Sequence, residues 1–324
     1  MAQRFSYACR LNSFKARPEL FDWRYGVGDI RDIVRRAASV AGLDAIVFNY
    51  PEHFVKSSLA ELRAAVADTR LTVRGVNLRY PEPQFANGAF TNPDPALRQA
   101  AIQLTCDAVD ACRSLGARHV MIWLGNDGYD YPFQMDYARA WDWEVAGIQA
   151  VADYAPDMRI SIEYKPAEPR RFSLLQDVGT TLLAVKECSR PNVGVALDFC
   201  HLLMAKENPA TVAALCIRQG LLYGLHLNDG YGALDDGLMV GSVNLMQTVE
   251  IIYHVYKSTY DDIVYFDTFP VREDPVQECA ANIRRIEQIV AVVARMEQHG
   301  VTAAMASQDG LGAAAALWEA LFSA

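Results

Sequence analysis

Apolar side chains recur along this chain in eight short runs, each followed by a segment with helical spacing. Within the runs, apolar positions alternate with polar ones or continue for five to eight residues, as in strands. The runs predict strands at 7–14, 44–50, 71–80, 118–125, 158–164, 193–199, 221–228 and 262–269. Apolar residues three and four apart predict helices at 29–41, 57–68, 94–116, 134–154, 173–188, 208–219, 243–257 and 275–297.

This strict alternation of strand and helix predicts parallel strands with right-handed crossovers. Eight such units in 298 residues favour a closed (β/α)₈ barrel over an open sheet. The first strand is not followed by G-x-G-x-x-G, which argues against a dinucleotide-binding fold. We therefore predict an α/β protein with one TIM barrel at 1–298 and a helical tail at 299–324. The tail carries Trp318 and Phe322, so we expect it to contact another subunit.

Composition narrows the classes of partner. The longest apolar stretch, "GLGAAAALW", is too short to span a membrane, and the N-terminal residues contain no apolar signal core. The seven cysteines form no C-x-x-C pair, which suits a reducing cytoplasm. A formal charge of −9 disfavours binding along a nucleic-acid backbone. We expect a cytoplasmic protein with a small-molecule ligand and neither nucleic acid nor membrane as partner.

Polar side chains that bind metals follow the last four predicted strands. In barrels of this kind the chemistry lies at the carboxyl ends of the strands. The residues there are Glu163, Asp198, His201, His226, Asn228, Asp229 and Asp267. Carboxylates this close together repel one another unless a cation joins them. Oxygen and imidazole ligands without thiolate predict Mn²⁺, with Mg²⁺ or Co²⁺ as alternatives.

Two details of these strand ends affect the prediction. Asp198 and His201 are three residues apart, so they share a metal only if the chain turns at Phe199. In "ISIEYKPAEPR", Lys165 stands two residues beyond Glu163, so in an extended segment both side chains reach the same cavity. Further along this loop, Glu168 and Arg170 are either part of the site or a surface pair that supports the loop.

Four motifs resemble the xylose-isomerase-like barrels, the sugar isomerases and epimerases, and the resemblance covers nearly all of residues 1–300. They are "EYKPAEPR", "NGAFTNPD", "IWLGNDGYD" and "LHLNDGYGALDDGLMVGSVN". The last is closest to the L-rhamnose isomerase branch and the others to the xylose isomerase branch. The resemblance implies that Lys165 contacts the sugar and that Phe90 and Trp123 line its pocket. We expect His201 and Asn228 to contact the substrate as well.

The resemblance also implies two metal sites. The ligands of the first, tight site would be Glu163, Asp198, His226 and Asp267. A second, weaker site would use Asp198 as a bridge with His201 and Asp235. Here the chain departs from the family pattern, because Gly237 stands where a further acid is expected. Either Asp236 or Asp229 is a candidate to replace that acid.

The implied reaction is the interconversion of an aldose and a ketose by metal-assisted hydrogen transfer between C1 and C2. The implied catalytic groups are Lys165, Glu163 and Asp267, with His53 moving a proton during ring opening. Glu52, next to His53, is an alternative for that task. The expected substrate is a free, non-phosphorylated monosaccharide, and pentoses, 6-deoxyhexoses and branched sugars all remain open. A homodimer or homotetramer is the expected assembly.

Three other functions compete with this one. Ketose 3-epimerases of the same scaffold use glutamates on strands five and eight, whereas Asp267 stands on strand eight here. A DNA-repair endonuclease with three zinc ions would need more histidines at the rim and a basic face. A barrel that binds sugar without turnover is disfavoured by the intact pair of Glu163 and Lys165.

Overall fold

A closed barrel of eight parallel strands forms the centre of the protein, as the sequence pattern predicts. The computed structural model describes residues 5–322. Its strands β1–β8 are Ser6–Arg10, Ala45–Tyr50, Thr72–Leu78, His119–Trp123, Arg159–Glu163, Val193–Asp198, Leu222–Leu227 and Ile263–Phe266. The strands follow one another around the barrel in chain order, and β1 closes it by pairing with both β2 and β8.

Twelve helices among the described residues surround and extend the barrel. Helices α1–α12 are Ile30–Ala38, Glu52–Val55, Leu59–Ala67, Pro95–Ser114, Tyr137–Tyr154, Val178–Cys188, Phe199–Met204, Pro209–Arg218, Leu245–Tyr256, Pro275–Gln298, Val301–Ala306 and Gly310–Phe322. Several of them begin after an N-cap residue whose side chain accepts a hydrogen bond from a backbone N–H of the first turn, which stabilises the start of the helix. These capping residues are Asp29, Ser58, Asp94, Asp136, Asp177, Asp198, Asn208 and Asp274.

The structure differs from the sequence prediction at several places. Strand β1 ends at Arg10, because Leu11–Lys15 forms a 3₁₀ turn that buries Leu11 and Phe14. Helix α6 begins only at Val178, because Phe172–Ser173 pairs in antiparallel fashion with Gly128–Tyr129. The short helices α2 and α7 were absent from the prediction. Helix α7 begins at Phe199, so the chain does turn where a shared metal site requires it.

Alternation along the strands decides which side chains enter the barrel. Inward residues of β1, β2 and β8 form a small cluster of their own, made of Ala8, Ala45, Val47, Ile263 and Tyr265. The larger apolar core lies between the strands and the surrounding helices. Because strand faces repeat every two residues, the inward face continues to the carboxyl end of each strand, where the candidate site lies.

The C-terminal extension is helical, as predicted, but it packs on its own chain. Ala316 and Ala320 of α12 are buried, and Arg295 of α10 donates a 2.8 Å hydrogen bond to the carbonyl oxygen of Ala320. Trp318 and Phe322 stack on each other and are 51% and 74% exposed. Residues 1–4 and 323–324, the outer ends of the two predicted units, lie outside the described residues.

Residues 5–322 contain neither a membrane-spanning helix nor a disulfide. Within residues 5–322, every helix is too short or too polar to cross a membrane. All seven cysteines are free and buried.

Candidate metal centre

Each barrel strand brings one inward side chain to the carboxyl-terminal rim, at its end or directly after it. These eight residues, the rim ring, are Arg10, Asn49, Asn77, Trp123, Glu163, Asp198, His226 and Asp267. The register places several of them side by side, since Asn49 pairs with Asn77, Trp123 with Glu163 and Asp198 with His226. A cavity of about 300 Å³ opens over the ring. Its acidic half comes from β5–β8.

Four of the predicted metal ligands converge in one group. Glu163, Asp198, His226 and Asp267 each offer a ligand atom, and these atoms all lie within 4.8 Å of one another. The Nδ1 atom of His226 is 3.5 Å from Oε1 of Glu163, and the imidazole packs on Tyr265 with ring centroids 4.6 Å apart. The ends of four consecutive strands, β5–β8, thus bring three carboxylates and one imidazole into one compact group.

A second group shares one carboxylate with the first. Asp198, His201 and Asp235 also have ligand atoms within 4.8 Å of one another. The Nδ1–H of His201 donates to the carbonyl oxygen of Tyr164 at 2.9 Å. That bond leaves Nε2 facing Oδ2 of Asp235 at 3.3 Å and Oδ1 of Asp198 at 3.9 Å. A backbone acceptor that fixes a histidine in this way is typical of metal ligands.

Asn228 positions the shared carboxylate. Its amide nitrogen donates to both oxygens of Asp198, at 3.1 and 3.0 Å, and to the carbonyl oxygen of Asp267 at 3.1 Å. Its amide oxygen accepts from the backbone N–H of Cys200 at 2.9 Å. The structure does not bring Asn228 to the cavity surface, because its hydrogen-bonding groups are used within the protein and the residue is fully buried.

The electrostatics of the cluster are those of a site built for a cation. Burial and the neighbouring carboxylates raise the pKa of Asp198 to about 7, although His201 opposes this. Burial also raises the pKa of Asp267, against the effect of Arg10. For Glu163 burial is outweighed by His226 and His201, which lower its pKa. Buried acids in contact are costly to ionise together without positive charge between them.

Unpaired atoms in the cluster test whether a metal fits. Among the described residues, His226 Nδ1, Asp235 Oδ1 and Asp267 Oδ1 are buried and have no hydrogen-bond partner. Buried polar atoms are rarely left unpaired, so these three point to a missing ligand. Oxygen donors with one or two imidazoles suit Mn²⁺, Mg²⁺ or Co²⁺. The residues present fit a divalent ion of this class.

Lys165 lies in the cavity but is already paired. Its ammonium nitrogen is 3.0 Å from Oδ2 of Asp235 and 2.9 Å from Oε2 of Glu168, and 5.7 Å from the centre of the Trp123 ring. Burial works against its charge, yet the two carboxylates raise its pKa. Glu168 thus belongs to the pocket wall, whereas Arg170 forms a separate ion pair with Asp130 at 3.1 Å.

The neighbours of Asp235 stay outside the metal groups. The Asp236 carboxylate accepts from the backbone N–H of Tyr231 at 2.8 Å and is not part of either ligand group, so its role as a ligand stays a prediction. Asp229 accepts from Gly230, Val243 and Asn244 and holds the loop together. Neither acid replaces the one that the resemblance expects at position 237.

Steric contact explains the glycine at that position. Gly237 has φ of +57°, and a Cβ there would lie 2.3 Å from the Phe269 ring. A side chain at 237 would therefore require both a left-handed backbone and a displaced aromatic ring.

Two further predicted site residues lie outside the cavity. Both ring nitrogens of His53 are used: Nδ1 accepts from the Asn49 N–H at 3.0 Å, and Nε2 donates to Oδ1 of Asn12 at 3.1 Å. Burial lowers the pKa of His53 to about 4. Its alternative, Glu52, is bonded to Asn12 and Lys15. Neither residue lines the cavity, and a role of either in proton transfer stays a prediction.

Phe90 belongs to the core and not to the pocket. It is 1% exposed and packs edge-on against Tyr80, with ring centroids 5.7 Å apart. Its ring also lies where a Cβ on Gly147 of helix α5 would come within 2.6 Å. The structure thus places Phe90, predicted as a sugar contact, away from the cavity, whereas Trp123 lines it.

The sequence analysis missed the other half of the cavity wall. Arg10, Asn49, Asn77 and Arg79 line it from β1–β3, opposite the acidic half. Their signal was present in the sequence, because each stands at the inward parity near the end of a predicted strand. The predicted site residues rested on metal-ligand types and on the family motifs, and neither marks these four positions.

Comparison with known proteins agrees with the architecture. The family model for the xylose isomerase-like TIM barrel matches residues 35–305. The chain is 27% identical over 263 residues to xylose isomerase of Thermus thermophilus, and this match covers 79% of this chain and 68% of that enzyme. It is 28% identical over 251 residues to xylose isomerase of Thermus caldophilus, and this match covers 75% of this chain and 62% of that enzyme.

Solved structures show the same fold at lower identity. The structure of D-allulose 3-epimerase from a Methylomonas species, in complex with D-allulose, superposes with a TM-score of 0.70 at 18% identity. The superposition covers 88% of this chain and 97% of the epimerase. Together with the barrel and its rim, the family match over most of the chain leads to one conclusion: the protein belongs to the xylose isomerase-like TIM barrel family.

Proposed function

We propose that this protein is a divalent-metal-dependent isomerase that interconverts an aldose and a ketose of a free monosaccharide. The observation that carries the proposal is the pair of ligand groups that share Asp198. Members of both groups line one cavity together with Lys165, namely Glu163, His201, Asp235 and Asp267. Both xylose isomerases that the chain resembles are named for this type of reaction. A cavity of about 300 Å³ suits a ligand the size of a single sugar.

The residues of the cavity divide the chemical work. Glu163, Asp198, His226 and Asp267 would hold a divalent ion, which when bound supplies Lewis-acid polarisation of a sugar carbonyl. Asn228 keeps Asp198 in its orientation through two hydrogen bonds. Lys165 directs a positive charge into the cavity, where it stabilises negative charge that develops on a substrate oxygen.

The remaining wall orients the sugar. The side-chain amides of Asn49 and Asn77 make no hydrogen bond within residues 5–322, so they are available to donate to and accept from sugar hydroxyls. Trp123 offers an apolar face for the C–H side of the ring. We place these residues in substrate binding together with Trp123, in place of Phe90 and Asn228.

A ketose 3-epimerase is the alternative on the same scaffold. The likeness to D-allulose 3-epimerase concerns the fold, since the two chains are only 18% identical. An epimerase would need acid–base groups on the two faces of C3, and Asp267 would have to serve as one of them. Arg10 lies 3.4 Å from Oδ1 of Asp267, which ties this carboxylate to the wall. That contact favours isomerisation.

Metal removal is the first test of the proposal. Free aldoses and ketoses are incubated with the chelated protein and with protein reloaded with Mn²⁺, Co²⁺ or Mg²⁺, and the products are identified by chromatography. We expect no turnover after chelation and recovery with the added ion, because the carbonyl is not polarised otherwise. An aldose that yields its ketose supports isomerisation, and inversion at C3 of a ketose would establish the epimerase instead. Full turnover by protein verified as metal-free would refute both.

We further propose that the exposed face of α12 joins two copies of this chain. Leu311, Trp318 and Phe322 are 87%, 51% and 74% exposed. Apolar area removed from water contributes about 25 cal/mol per Å², so a matching face on a second copy would stabilise an assembly. Next to this helix lies an apolar groove of about 300 Å³, with Met246 and Met305 in its wall.

A double substitution tests the assembly without exposing new core. We expect Trp318→Ser with Phe322→Ser to lower the mass measured by light scattering. Without these two rings, the face of α12 would bury less apolar surface against a second copy. The buried Ala316 and Ala320 stay in place, so α12 keeps its packing on α10. Leu183→Ser, at a 46% exposed position on α6, is the matched control. A mass equal to that of the unaltered protein would refute the role of this face.

A further inference from the structure

One arginine in the cavity wall has no acidic partner. Among the residues described, the guanidinium of Arg79 has no carboxylate within 4.0 Å and no hydrogen bond. The guanidinium lies over Trp123, whose ring centre is 5.1 Å away, and its charge acts at longer range on Asp267. Its backbone N–H bonds to the carbonyl oxygen of Tyr50 at 3.0 Å, which holds the residue in line with β3.

The other arginine and the lysine of the cavity each have a carboxylate partner. Lys165 pairs with Asp235 and Glu168 at 3.0 and 2.9 Å. Arg10 lies 3.4 Å from Asp267 and rests on the Phe269 ring, with its guanidinium carbon 4.7 Å from the ring centre. Among these three described cations, Arg79 is the one without a carboxylate within 4.0 Å.

Position in the barrel tells which end of a substrate Arg79 meets. The proposed metal ligands stand on β5–β8, and Arg79 follows β3, which lies across the barrel from β7. Asn77 has the same inward parity two residues earlier and lies beside Asn49. A sugar whose reacting carbons lie at the metal centre would therefore extend its far end towards Arg79 and Asn77.

Resting on the proposed isomerase function, we infer that the substrate is an acidic monosaccharide, with a carboxylate at the end remote from the reacting carbons. The planar guanidinium of Arg79 matches a carboxylate through two parallel N–H···O bonds. Stacking on Trp123 holds the guanidinium in place for this contact. A phosphate ester fits less well, because it carries more charge and Arg79 is the one unpaired cation among the described residues of this cavity.

Paired substrates test the inference. A panel of aldoses is compared with the same sugars oxidised to the terminal carboxylate and with their terminal phosphate esters, all with Mn²⁺ present. We expect kcat/KM to be higher for the acids than for the neutral sugars. In Arg79→Met the ratio of acid to neutral kcat/KM should fall about tenfold to a hundredfold, the effect of one lost charge-assisted contact. Arg218→Met, an exposed position on α8, removes the same charge and should keep the ratio.

The outcomes separate this inference from the proposed function. Turnover that favours neutral sugars, or an acid preference that survives in Arg79→Met, overturns the inference and leaves the isomerase function standing. A preference for the phosphate esters overturns the carboxylate assignment. If no compound is turned over with any ion, the proposed function fails. Calorimetric titration of the same pairs into the two proteins then still decides whether Arg79 binds the acid.

Discussion

Replacing Glu163 by glutamine will nearly abolish turnover and weaken the binding of the divalent ion. The substitution keeps the shape of the side chain but removes one of the three carboxylates in the first ligand group, whose ligand atoms lie within 4.8 Å of one another. The loss of so close an anionic ligand reduces the charge that holds the cation. We expect kcat/KM to fall by at least about a hundredfold, the scale found for a lost electrostatic contact in an active site.

A binding measurement separates metal loss from other damage. Mn²⁺ raises the melting temperature of a protein that binds it only when folded. This rise should shrink in Glu163→Gln. The matched control is Glu187→Gln, where the amide oxygen can still accept the 2.6 Å hydrogen bond from Trp141 Nε1. Equal Mn²⁺-induced stabilisation of the Glu163→Gln and unaltered proteins would remove Glu163 from the metal centre.

Lys165→Met will reduce kcat by about a hundredfold or more, provided that its ammonium group stabilises charge in the transition state. Methionine keeps most of the length and the apolar stem of lysine and removes the ammonium group with its charge and its N–H donors. If Lys165 were merely a counter-ion of Asp235 and Glu168, the variant would lose thermal stability without metal and keep its kcat in saturating Mn²⁺. Near-normal turnover would thus overturn the catalytic role. Lys186→Met, on the exposed end of α6, controls for the loss of a positive charge.

The same variant reports on the second ligand group. In the structure, Lys165 Nζ lies 3.0 Å from Oδ2 of Asp235, so a cation bound there would face a positive charge. With Gly237 in place of a further acid, we expect one tight ion and one weak ion in the unaltered protein. Calorimetric titration should show tighter binding of the second ion in Lys165→Met. Two equally tight ions in the unaltered protein would contradict this order of affinities.

The barrel could be predicted because its signals are local. Runs of strand residues and helical spacing each depend on a few neighbouring positions, and their alternation leaves few topologies. The ends of the elements were predicted less accurately, because they depend on contacts with residues that are distant in the sequence. Phe172 and Ser173 fit a helix start, but they pair with Gly128 and Tyr129 some forty residues earlier. Likewise, Leu11 and Phe14 leave β1 because a turn places both in the core.

The candidate site was predictable where parity alone decides. Glu163, His226 and Asp267 stand at strand ends, and parallel strands bring such ends to one rim. The structure places them together, while their roles remain predictions. For Asn228 parity says nothing about hydrogen bonding. This residue stands two positions beyond the inward His226, and its amide turns towards Asp198 and the backbone.

Loop residues could not be placed from the sequence. His53 and Phe90 lie outside the strands, and the direction of their side chains depends on packing with distant segments. His53 turns towards Asn12 of the 3₁₀ turn after β1, and Phe90 fills the space beside Gly147 on α5. A motif identifies such residues but does not decide which way they face.

The contact between Gly237 and Phe269 limits the paths by which this cavity can change. An acid introduced at 237 meets an occupied space, since its Cβ would lie 2.3 Å from the ring. The ring must move or give way to a smaller side chain, yet the guanidinium of Arg10 rests on Phe269. An acid at 237 therefore disturbs the contact that holds Arg10. In evolutionary terms the glycine is held in place by its neighbour, and the two positions should vary together among descendants of this gene.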